Sequence, residues 1–312
     1  IYYAFKQTET TTDGGTTSTG WATFLEAVIR AGFSITGTWP IRTERSNRLL
    51  GIDTNALASS IVLVCRPRPT NAPTASRRAF VAALQHELPA ALRQLQQAAI
   101  TSVDLAQAAI GPGMAVFTRY ARVENADGSL VTVSEALALI NQVLDETLAA
   151  QEGDFDAETR WAIAWFSQYG FDTGEFGVAE TLSKAKNTSI DRLVAAGMLE
   201  ARRGQVRLRR PADLPELTAH TRLTDWMALH VLIRALQTGG EQAVAERQRA
   251  LGSQAGNARE LAYRLYTVCD RRHWAEDGFW YNALIKSWAE ISVLAQLAAD
   301  QSYQQTTFTT EE

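Results

Sequence analysis

Apolar runs and one amphipathic segment alternate with polar stretches over the first 69 residues. Ile1–Phe5 is a continuous apolar run, which predicts a strand buried on both faces. Residues 8–19, rich in Thr, Gly and Ser, predict a flexible loop. Apolar residues at helical spacing over 21–29 predict a helix that Gly32 ends. Because a buried strand needs neighbours on both sides, the pattern predicts a fragment that begins inside a sheet.

Two further apolar runs follow this helix. Ser34–Trp39 predicts a strand stopped by Pro40, and Ile61–Cys65 predicts another that ends before Pro67. Strand, helix, strand, loop and strand together predict the closing part of an α/β sheet over residues 1–69, with the last two strands as antiparallel neighbours.

Helical periodicity dominates the rest of the chain and predicts a mainly α structure there. Residues 70–150 predict a helical segment, interrupted by a turn at Gly111-Pro112-Gly113. Residues 216–300 predict a helical C-terminal region, and 301–312 a disordered polar tail.

Residues 151–215 predict a winged-helix-like module. Asp156 caps its first helix, Val178–Ala185 is its second, and Ser189–Ala196 is its third. An alternating stretch with Arg203-Gly204 at its turn then predicts a hairpin. Helix, helix, turn, helix and hairpin are the outline of a winged helix-turn-helix.

The module is basic within a chain whose net charge is −4. Its eight cations between residues 184 and 210 are Lys184, Lys186, Arg192, Arg202, Arg203, Arg207, Arg209 and Arg210. Two acids in that stretch leave a local charge of +6. Clustered cations bind phosphates because they release condensed counterions. We therefore predict DNA contacts, the third helix in the major groove and the hairpin at an adjacent backbone or minor groove. Docking to an acidic protein stays open as the alternative.

The composition excludes several other classes of function. With 46% hydrophobic and 21% charged residues, the chain is typical of globular proteins. It lacks an apolar run long enough to span a bilayer, and we expect a cytoplasmic protein without a membrane partner. Its two cysteines, Cys65 and Cys269, form no zinc-ligand cluster, and its four histidines are dispersed. No metal site or catalytic residue is predicted.

Lys6 and Gln7 follow the first predicted strand directly. In open α/β sheets, ligands bind at the carboxyl ends of the strands. Both residues are therefore candidates for lining a substrate cleft, although polar residues at the start of a loop are common without such a role.

Long stretches of the chain resemble one protein family. They include YYAFKQ, GWATFLEAVIRAGF, TGTWPIRTE and NALASSIVLVCRPRP in the first 69 residues, and DLAQAAIGPGMAVFTRYARV, TRWAIAWFSQYGF, GVAETLSKAKNTS and LAYRLYTVC beyond them. These stretches resemble the C-terminal part of the adenine-specific DNA methylases that carry a zinc ribbon. The resemblance reaches to about residue 290.

This resemblance implies a class I methyltransferase that uses S-adenosylmethionine, acts on the exocyclic amino group of adenine, and belongs to bacterial phage defence or restriction-modification. It implies a glycine-rich cofactor loop, an Asp-Pro-Pro-Tyr motif for the flipped base and zinc-ribbon cysteines. None of these is in the chain, so we expect them upstream of Ile1 and expect the fragment alone to be inactive. The alternatives are a non-catalytic DNA-binding module and a helical interaction scaffold of a defence complex.

Overall fold

The computed structural model describes residues 9–12, 15–42, 59–98, 100–216 and 223–308. The chain divides into two compact units, the first ending at Ala150 and the second starting at Gln151. Within the described residues the structure is mainly helical, as predicted, and its strands form a few small sheets. The predicted strand Ile1–Phe5 lies outside the described residues.

Unit 1 combines short strand pairs with four helices. Its elements in chain order are β1 (Glu9–Thr12), β2 (Gly15–Ser18), α1 (Thr19–Arg30), β3 (Phe33–Arg42), β4 (Ser59–Pro67), β5 (Thr74–Ser76), α2 (Arg77–Gln97), α3 (Ser102–Thr118), β6 (Arg122–Glu124) and α4 (Val133–Ala150).

At the start of unit 1 the predicted helix is present, whereas the predicted flexible loop is replaced by strands. Helix α1 covers the predicted amphipathic segment, and Gly32 follows it with a φ of +84°. β1 and β2 pair as an antiparallel hairpin in the segment predicted to be a flexible loop. Threonine accounts for this difference, because runs of this β-branched residue favour strands as well as loops.

β3 and β4 form the antiparallel pair that the sequence predicts. The prediction that Pro40 stops β3 is wrong, since the strand continues to Arg42 and Pro40 pairs in register with Ile61. In the described residues this sheet has two strands, so each strand has an open edge. A proline whose nitrogen points to an open edge removes no hydrogen bond from the ladder.

The predicted turn at Gly111-Pro112-Gly113 is also wrong, because α3 passes through all three residues. A Cβ on Gly111 would lie within 3 Å of Thr38, and one on Gly113 would lie 2.6 Å from Ile140 Cγ2. The two glycines therefore let α3 pack closely on β3 and α4.

Unit 2 contains the remaining elements. In chain order they are α5 (Ala157–Tyr169), β7 (Gly174–Glu175), α6 (Phe176–Ala185), α7 (Ile190–Ala195), β8 (Leu199–Arg202), β9 (Gln205–Leu208), α8 (Asp225–Leu251), α9 (Gln254–Arg272), α10 (Ala275–Lys286) and α11 (Trp288–Phe308). A short 3-10 helix, Gln151–Asp154, precedes α5, and another, Pro211–Asp213, follows β9.

The helices α8 to α11 form the second half of unit 2. Helix α8 is interrupted at Gly240, whose φ is +65°. Helix α11 continues to Phe308 and so covers most of the segment predicted as a disordered tail. No helix within the described ranges is long and apolar enough to cross a membrane.

Paired aspartates join α5 to α8. The backbone nitrogen of Asp225 donates to Asp156 Oδ2 at 2.8 Å, and the backbone nitrogen of Asp156 donates to Asp225 Oδ2 at 3.3 Å. Asp156 also caps α5 through Thr159, as predicted. The first half of unit 2 is thereby fixed to the helices that follow it.

Candidate nucleic-acid interface

Residues 156–210 of unit 2 fold as helix α5, strand β7, helices α6 and α7, and the hairpin β8–β9. The strands form one antiparallel sheet in the order β7-β9-β8. The aromatic core beneath it contains the fully buried side chains of Trp161, Trp165 and Phe166. Trp161 Nε1 donates to the carbonyl oxygen of Ala179 at 3.2 Å, which fixes α6 on α5.

The connection between α6 and α7 is built from local capping residues. Asn187 has a φ of +58°, and Ser189 caps α7 by accepting from the nitrogen of Arg192. Thr188 donates to the buried carboxylate of Glu158 on α5 at 3.2 Å. Arg192 Nη1 lies 3.9 Å from the same carboxylate. Arg192 is thus both exposed on α7 and electrostatically linked to the core of the module.

The hairpin β8–β9 matches the prediction closely. Val206 and Leu208 are buried, and Arg202 pairs in register with Gln205 around the turn Arg203-Gly204. The nitrogen of Phe176, the first residue of α6, donates to the carbonyl oxygen of Gly204 at 2.9 Å. The hairpin tip is therefore fixed beside the start of α6.

Glu200 of β8 binds two of the predicted DNA contacts. Its Oε2 accepts from Arg207 Nε at 3.2 Å and Nη2 at 3.0 Å, and its Oε1 lies 3.4 Å from Arg209 Nη1. The Arg207 hydrogen bonds hold the pKa of Glu200 below its usual value. Arg209 also donates to the carbonyl oxygen of Asp213. These two arginines neutralise Glu200 first, so less of their charge is available to a phosphate.

A third arginine of the cluster is directed into unit 2. Arg210 Nη1 donates to Asp277 Oδ1 at 3.2 Å, and its guanidinium carbon lies 4.9 Å from the centre of the Phe171 ring. Burial raises the pKa of Asp277, while Arg210 opposes that shift. Arg210 therefore serves the packing of unit 2.

The remaining cations of the cluster are more available to a phosphate. Lys184 forms an exposed pair with Glu180 one helical turn away, at 3.3 Å, and such pairs contribute little. Lys186, Arg202 and Arg203 form no ion pair within the described part of the chain. Exposed cationic charge is thus concentrated at the hairpin tip and at the end of α6.

The sequence did not indicate which acidic residues bind some of these cations and leave the others without an ion pair. Glu200 and Asp277 gave no signal beyond their charge, since only the strand register and the packing of α10 bring them to Arg207 and Arg210. Three apolar side chains of α6 and α7, those of Phe176, Val178 and Val194, are also exposed. Lys6 and Gln7 lie outside the described residues.

Acidic clusters and cavities elsewhere in the described residues offer an open groove and no metal site. Within the described residues, no three His, Cys, Asp or Glu side chains come together as metal ligands. Unit 1 has an open groove of about 960 Å³ beside the start of α2, lined by Arg77, Arg78 and polar residues of the β6–α4 connection. Of its acids, Asp127 and Glu135 accept from Ser129 and Thr132 in local turns, and Glu124 pairs with Arg122.

Comparison with known proteins adds one match. Residues 156–308 match a family described as a domain of unknown function (DUF8807), which is slightly less than half of the chain. No curated protein and no solved structure matches the chain. The matched segment begins at the cap of α5 and ends with α11, and so follows the bounds of unit 2.

Proposed function

We propose that residues 156–210 form a winged helix-turn-helix that binds duplex DNA. The observation that carries the proposal is the strand order β7-β9-β8, in which a short strand between the first two helices pairs with a hairpin after the third. This arrangement makes α7 the recognition helix and β8–β9 the wing. The exposed Arg202 and Arg203 at the wing tip provide the electrostatic attraction.

The wider proposal is that the chain is part of a DNA adenine-N6 methyltransferase that uses S-adenosylmethionine in the cytoplasm, with other defence proteins as partners. The resemblance of the sequence to zinc-ribbon adenine methylases supports it. The antiparallel β3–β4 pair behind α1 suits the end of a class I methyltransferase sheet. Lys6 and Gln7 remain candidates for the substrate cleft of the whole enzyme.

The test is duplex binding by the whole chain, measured by fluorescence anisotropy over a range of salt concentrations. Changing Arg202 and Arg203 together to glutamine should weaken binding and reduce the log–log salt slope by about two, since each lost phosphate contact removes about one unit. Absence of duplex binding by the unchanged chain at low salt would refute the proposal.

Two matched controls accompany this variant. Arg247 and Arg249, exposed on the second half of α8, can be changed to glutamine with the same loss of net charge. The pair Glu200→Gln with Arg207→Gln removes an ion pair without changing net charge. Both controls should bind duplex within about twofold of the unchanged chain, because Arg247 and Arg249 lie outside the proposed module and the Glu200–Arg207 change leaves the net charge of the hairpin unchanged.

A second candidate is docking of an acidic protein partner on the same module. The exposed apolar side chains of Phe176, Val178 and Val194 favour it, since protein interfaces combine apolar centres with charged rims. If the wing-tip variant binds duplex as tightly as the unchanged chain, the DNA role of the wing tip is lost and protein docking becomes the better explanation for its exposed charge.

A further inference from the structure

The wing tip contains an arginine in a backbone conformation that disfavours it. Arg203 has a φ of +52° and Gly204 a φ of +78°, so both central residues of the two-residue turn are left-handed. Asn, Asp and Gly are the residues that such turns favour, because a longer side chain is strained there. The sequence places an arginine where asparagine would fold more easily, which indicates a role for its guanidinium.

Three long polar side chains lie in this turn or directly beside it. Arg202, Arg203 and Gln205 are exposed and form no side-chain hydrogen bond or ion pair within the described residues. Gly204 would meet nothing within 4 Å if it carried a Cβ, so this side of the tip is open, while the Gly204 carbonyl oxygen accepts from the nitrogen of Phe176 at the start of α6. Two acids lie near the tip: Glu175 is across from Gln205 on β7, and Glu200 is two residues from Arg202 on β8, where the charge of Arg202 helps to lower its pKa.

The tip differs in this respect from the rest of the hairpin. Arg207 and Arg209 are both bound by Glu200, whose side chain is 24% exposed. Within the hairpin, the arginines that form no ion pair in the described residues are therefore at its tip. An exposed turn with guanidinium and amide donors suits a minor groove, which is about 6 Å wide and lined by acceptors of A·T pairs.

We infer that the wing tip inserts Arg203 into the minor groove of the duplex, flanked by Arg202 and Gln205, and that the module thereby prefers A·T-rich DNA beside its major-groove contact. A·T tracts narrow the minor groove and strengthen its negative potential, which attracts an inserted arginine. The 2-amino group of guanine obstructs the same path. This inference rests on the proposed duplex binding and adds the class of sequence that the wing selects.

The experiment compares whole-chain binding to three short duplexes of equal length, with A·T, G·C or inosine·cytosine pairs throughout. Inosine·cytosine pairs present the guanine pattern in the major groove but lack the 2-amino group in the minor groove. The unchanged chain should bind the A·T and inosine·cytosine duplexes at least about fivefold more tightly than the G·C duplex. Preference for A·T over both other duplexes would instead indicate major-groove reading and overturn the inference.

Arg203→Asn is the decisive variant, because asparagine suits the left-handed turn and so keeps the wing folded. It should have an unchanged or higher melting temperature and bind all three duplexes within about twofold of one another. The charge-neutral control Glu200→Gln with Arg207→Gln should keep the preference. If the variant keeps the preference as well, the minor-groove role is wrong while duplex binding stands. If no duplex is bound by the unchanged chain, both proposals fall.

Discussion

His230 illustrates at the scale of one residue how the aromatic core of unit 2 fixes a protonation state. Its side chain is fully buried against Trp226 and Tyr281. The ring Nδ1 lies 2.8 Å from the carbonyl oxygen of Trp226, which can only accept, so Nδ1 carries the proton. Nε2 lies 3.0 Å from Tyr281 Oη and accepts from it. Both ring nitrogens are satisfied in the neutral form.

Burial lowers the pKa of His230 to about 4 from its ordinary value of 6.5. The unfolded chain therefore binds a proton at a higher pH than the folded chain, and stability falls as pH drops from about 6.5 towards 4. The loss attributable to this residue should be about 2 kcal/mol between pH 7 and pH 5. Urea unfolding at both pH values measures it.

The variant His230→Gln should lose less stability over that interval than the unchanged chain, although it is less stable at pH 7. Burial raises the pKa of Asp225 and Asp277, which gives the opposite trend with pH, but their contribution cancels in the comparison. The exposed His273, whose φ is +59°, provides the control His273→Asn. Equal pH dependence of the unchanged chain and His230→Gln would contradict this account.

At the scale of an element, α3 shows how a helix accommodates a proline and two glycines. Pro112 has no N–H, so the carbonyl oxygen of Ala108 one turn earlier lacks its helical donor. The buried hydroxyl of Thr38 on β3 donates to that carbonyl at 2.7 Å. Thr118 near the other end of α3 accepts from the nitrogen of Ile35 at 2.9 Å. Helix α3 thus bonds to β3 at both points.

The variant Thr38→Val should destabilise unit 1 by about 1–3 kcal/mol, because it leaves the Ala108 carbonyl buried without a donor. Pro112→Ala restores an N–H that can reach this carbonyl, so the cost of Thr38→Val should be smaller in that background. Thr36→Val is the control, since the exposed Thr36 hydroxyl bonds only to Val64. Denaturant unfolding of the four chains of the cycle gives the coupling, and a coupling near zero would refute the hydrogen bond's role.

At the scale of the whole molecule, the division at Ala150 and Gln151 separates two units that each have their own core. The first residues of unit 2 are held within it, since Arg264 on α9 binds Glu152 through both Nε and Nη2 at 2.6 Å. The family match at residues 156–308 falls in the same unit. Unit 2 therefore has the properties of an independently folding domain.

A chain of residues 151–312 should fold alone, because the core, the caps and the Glu152–Arg264 pair lie within it. Circular dichroism should show a helical spectrum and one cooperative thermal transition. Its affinity for duplex DNA should match that of the whole chain within about twofold, since the proposed interface is in this unit. A non-cooperative melt would show that unit 2 depends on unit 1.

The sequence by itself determined the elements whose ends depend on neighbouring residues. The caps Asp156 and Ser189 and the turn Arg203-Gly204 were predicted because capping and turn chemistry act within about four residues. The antiparallel pairing of β3 and β4 was predicted from the order strand, helix, strand, loop and strand along the chain.

Only the tertiary structure decided the features that depend on distant partners. Gly111-Pro112-Gly113 reads locally as a turn, yet it is helical because Thr38 and Ile140 supply the hydrogen bond and the close packing. In the sequence the cations of the basic cluster look equivalent. In the structure, however, Glu200 and Asp277 bind three of them, Arg207, Arg209 and Arg210. Charge and spacing are visible along a chain, but which charges are neutralised depends on register and packing, which bring together residues far apart in sequence.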